Sequence, residues 1–137
     1  MHFPVKTIGR LFILAGFIFI IPGLCCFSQT IHIGDKYGGG IVFYIDGSGQ
    51  HGLIAAVDDL SVATKWGCMG SSIGGTRGAI GKGKSNTTNI VNLCSDQDIA
   101  AYKCQNLVLN GFNDWFLPGK GELNRMYVNK TVIGGFF

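Results

Sequence analysis

Residues 112–127, FNDWFLPGKGELNRMY, constrain the chain most: an aromatic run, a proline and a helix start follow one another directly. Asn110-Gly111, just upstream, tolerates a left-handed backbone at both positions and ends whatever precedes it. Asn113-Asp114 suits a side-chain-bonded turn, and Trp115-Phe116-Leu117 is strongly apolar. Pro118 holds Leu117 extended. Beyond it, Gly119 is placed as an N-cap and Glu122, the only glutamate of the chain, falls at the third helical position. Leu123, Met126 and Tyr127 then recur at i, i+3 and i+4. The stretch predicts a buried strand end that turns sharply into an amphipathic helix. Asp114 and Glu122 carry the oxygen ligands that Ca²⁺ prefers. Turn formation by Asp114 and helix capping by Glu122 account for both, so no metal site is expected.

At 137 residues the chain has room for one domain, and residues 1–28 read as a leader to it. Lys6 and Arg10 form a basic beginning, residues 11–24 are almost wholly apolar, and Cys26 and Ser28 stand at −3 and −1 of a cut before Gln29. The apolar run is shorter than the roughly 20 residues of a membrane span and contains Pro22; a retained anchor is the alternative. Lipoprotein cleavage at Cys25 or Cys26 fits poorly, because Leu24 or Cys25 would stand where a small residue is needed. The expectation is a secreted or cell-surface protein whose mature part is 29–137.

Lys6 and Arg10 leave with such a leader, so nine of the 11 basic residues remain against all eight acidic ones. That balance gives no reason to expect nucleic acid as a partner. Distribution says more. Between Asp59 and Asp96 there is no acidic residue, while Lys65, Arg77, Lys82 and Lys84 all fall there. These four are the candidates for meeting a polyanion, such as a sulfated glycan. Three cysteines follow the leader, Cys68, Cys94 and Cys104. In an exported protein they predict one disulfide and one odd thiol, with all three pairings open. His32 and His51 are isolated and no Cys/His spacing suits zinc. No cofactor is expected.

In chain order, residues 41–45 and 53–57 read as two buried strands, joined into a hairpin by a Gly-rich turn at 46–52. Residues 61–85 form a long Gly/Ser/Thr loop with Trp66 and Ile73 as apolar anchors; loops of this length are commonly binding loops. A short helix is expected over 86–93 with Ile90 and Val91 inward. A second is expected to start at Ser95, with Asp98 in the capping-box position and Ala100, Cys104, Leu107 and Val108 along one face, and to stop at Asn110-Gly111. The pattern is α+β: an N-terminal β-hairpin, two to three short helices and a small sheet.

Two glycine motifs imitate nucleotide sites. Residues 78–85, GAIGKGKS, satisfy GxxxxGK[ST], but no apolar strand precedes them as a phosphate loop requires. Residues 47–52, GSGQHG, satisfy GxGxxG, but a strand rather than a helix follows, and residues 62–76 lack the acidic ribose partner. Both are read as turns. No GxSxG elbow or cysteine–histidine pair is present. His51 beside Asp58 or Asp59 is the one acid–base pair that can be drawn, and it would make the protein a secreted hydrolase.

Three segments together resemble one family. They are YGGGIVFYIDGSGQHGLIAA at 37–56, Trp66-Gly67-Cys68 with the loop leading to Asn86-Thr87, and LVLNGFNDWFLPGKGELNRMY at 107–127. They are similar to the C-terminal domain of the Legionella collagen-like adhesin, a bacterial family mostly without assigned activity. Asp114, Trp115, Leu117, Pro118, Glu122 and Leu123 carry the most specific part. The resemblance covers most of 31–136. It implies an exported, non-enzymatic α+β domain related to C-type-lectin-like folds, a trimeric assembly, and binding of host glycosaminoglycans. Two departures stand out. Gly119 and Gly121 replace residues usually Ser and Asp, and Gly121 in the first turn is expected to weaken the helix by roughly 1 kcal/mol relative to Ala. Family members also continue with further strands beyond the equivalent of 133–136. An incomplete sheet is therefore expected, and a truncated, non-functional remnant is a further alternative.

Overall fold

The computed structural model of the protein describes residues 4–8, 30–60, 63–68, 70 and 72–134. The apolar run at 11–24 and the expected cleavage site lie outside the described residues. Four antiparallel strands form one sheet in the order β1-β4-β3-β2, with β1 at Val5–Ile8, β2 at Lys36–Tyr37, β3 at Gly40–Ile45 and β4 at Gly52–Ala56. Among the described residues four helices follow: α1 at Gly83–Leu93, α2 at Ala100–Gln105, α3 at Lys120–Val128 and α4 at Lys130–Ile133. The protein is a small α+β domain. Among the described residues no helix is long and apolar enough to cross a membrane.

The β3–β4 hairpin forms where the β-branched runs predict it, and both strands are apolar because both sheet faces are covered. Val5, Phe43, Leu53 and Ala55 pack against Phe116, Met126 and Ile133 on one face. Ile8, Val42, Ile54 and Ala56 pack against Trp115 on the other. A register shift at Phe43 bulges β3 and takes its carbonyl out of the ladder. The Asn129 side chain, at the joint of α3 and α4, donates to that carbonyl at 3.0 Å. Asp46 closes the hairpin turn by accepting from the Ser48 hydroxyl and the Ser48 and His51 amides.

A third cluster unites α1, α2 and the corner. Ile90, Ile99, Ala101, Cys104 and Leu117 meet there. Cys68 and Cys94 are bonded, and among the described cysteines Cys104 is left as a free, buried thiol. Burial, followed by the charge of Asp59, pushes the Cys104 thiol up to about 12, so it stays protonated and inert in the folded domain.

Several sequence expectations are corrected. The second helix begins at Ala100 rather than after Ser95. Asp96 accepts the Asp98 amide in a local turn, and Ile99 runs extended beside Lys65, whose carbonyl accepts from Ala100 N–H. That helix ends at Gln105, leaving Val108 exposed. Asn110-Gly111 does not stop a helix but turns a tight hairpin: both residues have positive φ, and Leu109 and Phe112 exchange backbone hydrogen bonds across them. The buried stripe of α3 runs through Glu122 and Met126, so Leu123 and Tyr127 face outward. Within the stretch read as a leader, Val5–Ile8 forms β1, and Lys6 is a buried residue there.

Gly121 reverses its expected effect. A Cβ there would lie 2.6 Å from Gly78 O and 2.8 Å from Ile80 N, so the glycine is what lets the loop backbone close onto α3. Gly121→Ala is therefore expected to destabilise the domain by about 1–3 kcal/mol in denaturant melts, whereas helix propensity alone predicts a gain of about 1 kcal/mol.

Candidate functional site

The corner at 117–122 is held by its own carboxylate. Glu122 is fully buried. Its Oε1 accepts from the backbone N–H groups of Gly81, Lys82 and Gly83 at 2.7, 3.1 and 3.1 Å, and its Oε2 accepts from Gly119 N–H at 3.0 Å. The sequence anticipates only the last bond, which caps α3. The first three cap α1, which has no side-chain cap of its own, from 39 to 41 residues away. A charge in an apolar interior is tolerable only when hydrogen bonds replace its lost water, and four donors do so here. This also disposes of the phosphate-loop motif. The N–H groups that would cradle a phosphate at residues 81–83 already hold Glu122, and the Ser85 hydroxyl donates to Lys82 O.

Helix α1 then fixes the loop before it and the segment beside it. Asn86 accepts from Arg77 N–H at 2.9 Å and donates to Arg77 O at 2.8 Å, clamping that residue at both backbone groups. Thr87 Oγ1 accepts from Leu117 N–H at 3.0 Å and donates to Gly83 O at 2.8 Å. Gly83 must be glycine for this approach, since a Cβ would lie 2.6 Å from the Phe116 ring.

Between the clamped loop and the start of α3 lies a cleft of about 380 Å³. The exposed Trp66, Arg77, Lys120 and Leu123 line it together with the buried Ile90, Leu117 and Pro118. Trp66 is 54% exposed although it sits in a fixed segment, tied by the Lys65–Ile99 bridge and by the disulfide at Cys68. No carboxylate lines the cleft. Among the described residues neither Arg77 nor Lys120 has an ion-pair partner. An indole, aliphatic side chains and two cations without ion-pair partners among the described residues suit an anionic ring-bearing ligand.

Of the four predicted polyanion residues, Arg77 alone lines this cleft. Lys65 lies next to Trp66, but its ammonium is 3.6 Å from Asp96. Lys82 and Lys84 stand exposed at the start of α1, outside the lining. Sequence reasoning missed Lys120 as a site residue. Its signal was available, a basic residue directly after Pro118-Gly119, but it lies far from the basic loop in sequence. The sketched acid–base histidine meets a different aspartate. His51 Nδ1 lies 3.2 Å from Asp46 in an exposed turn. Asp114 meets Lys6 at 3.3 Å, and among the described residues no group of three metal-ligating side chains exists. No family model, curated protein or solved structure matches the chain.

Removing the central carboxylate tests this construction. Glu122→Ala strands four N–H groups and is expected to cost about 3–5 kcal/mol in equilibrium unfolding. The isosteric Glu122→Gln is expected to cost less, since its amide oxygen can still accept.

Proposed function

We propose that the protein is an exported, non-catalytic binding module whose Trp66–Arg77–Lys120 cleft takes an anionic glycan. The observation that carries this reading is that Arg77 and Lys120, without an ion-pair partner among the described residues, line the same cleft as an exposed indole, with no carboxylate among the described lining residues. A sugar ring stacks on the indole face while its carboxylate or sulfate groups meet the two cations. The resemblance to the adhesin domain points to the same ligand class and to surface display, and the signal-peptide pattern supports export. The Cys68–Cys94 bond is in keeping with an oxidising compartment.

Heparin, a sulfated probe, checks the proposal. The double variant Arg77→Ala/Lys120→Ala is expected to elute from a heparin column at clearly lower salt than the parent, because exposed charge contacts are screened within about 10 Å at 0.1 M ionic strength. Lys82→Ala/Lys84→Ala is expected to elute close to the parent. Probe binding should also change the emission of Trp66, an effect absent in Trp66→Phe. Unchanged elution of the Arg77/Lys120 variant would remove the cleft as the site.

A further inference from the structure

Strand β1 is inserted, not appended. On one side it pairs with β4, Val5 opposite Ala55 and Ile8 opposite Gly52, and Ala56 N–H donates to Pro4 O at 2.9 Å. On the other side Val5 and Phe116 exchange backbone hydrogen bonds of 2.8 Å each. Its side chains fill specific places. Val5 is wholly buried against Phe43 and Phe116, and Ile8 packs with Ile54 and Trp115. Between them Lys6 places its ammonium 3.3 Å from Asp114 and 2.9 Å from the centre of the Phe112 ring. Thr7 is exposed. The slot therefore reads a four-residue code: apolar, basic, any, apolar.

This strand is joined to the rest of the described domain only through residues 9–29, which include the apolar run of the expected leader. A segment that crosses a bilayer once sets its ends about 30 Å apart on opposite sides, whereas Ile8 and Ile31 pack in the same cluster. Docking of β1 and membrane passage of 11–24 exclude each other. Cleavage before Gln29 would likewise take the strand away and leave β4, Phe116 and Asp114 uncovered.

We propose that the slot between β4 and Phe116 is a strand-acceptor site, filled in trans by an extended peptide of apolar–basic–any–apolar pattern when Val5–Ile8 is withdrawn. Backbone pairing on both edges supplies affinity. The Asp114–Phe112 seat for a cation supplies selectivity and register. This inference is independent of the cleft and rests on the reading of 1–28 as a leader only for the occasion on which the slot empties.

The full chain, carrying a specific protease site between Ser28 and Gln29, is cut after folding and titrated with labelled MHFPVKTIGR, the sequence of residues 1–10. Saturable binding is expected, and the Lys6→Asp peptide should bind more than about tenfold more weakly. In a chain carrying Asp114→Lys the preference between the two peptides should invert, a result that generic apolar adhesion cannot produce. Equal binding of both peptides, or an unchanged preference in the Asp114→Lys chain, would overturn the proposal. So would absence of binding, whether the cut chain keeps its near-ultraviolet circular dichroism or loses it without recovery on adding peptide.

Discussion

The buried carboxylate of Glu122 is the constraint on which the rest of this domain depends. One side chain caps two helices at once, its own at Gly119 and the distant α1 at residues 81–83. Without a side-chain cap within the helix, the amides at the start of α1 need an acceptor from elsewhere. Without those amides, a carboxylate could not stay in the interior. Each solves the other's problem. From this junction α1 clamps Arg77 through Asn86 and Leu117 through Thr87, so the cleft walls are placed by the same interaction that closes the core.

The phosphate-loop imitation at 78–85 has a physical explanation in this arrangement. A Gly-rich turn entering a helix presents converging N–H groups to an anion wherever it occurs. Here the anion is part of the protein, and Gly121 and Gly83 are glycines because backbone and ring approach too closely for a Cβ. The motif reports an anion-holding turn correctly and is silent about whose anion it holds.

What the sequence made legible was local chemistry. The β3–β4 hairpin, the α3 cap and the extended Leu117 before Pro118 follow from residues within a few positions of one another. What it concealed was long-range competition. The α2 start predicted at Ser95 lost to pairing of Ile99 with Lys65, and the apolar spacing of Leu123 and Tyr127 lost to burial of the charged Glu122. The basic loop was visible, yet only Arg77 joins Trp66 and Lys120, because the remaining lysines point to other places or to Asp96. Nor does periodicity in residues 5–8 announce a strand, since its burial depends on β4 and Phe116, about 50 and 110 positions away.

Two surfaces thus flank the aromatic corner: the cleft holding Arg77 and Lys120, and the slot holding Val5–Ile8. Trp115, Phe116 and Leu117 are buried between them, and Glu122 secures the segment at its far end. Amide hydrogen exchange measured residue by residue tests that central role most directly. The amides of Gly81, Lys82, Gly83 and Gly119 are expected to be protected well beyond those of the surrounding loop. In Glu122→Gln, whichever of the two groups faces the new –NH₂ should lose that protection while β3 and β4 keep theirs. Exchange of these four amides at open-loop rates in the unaltered protein would contradict it.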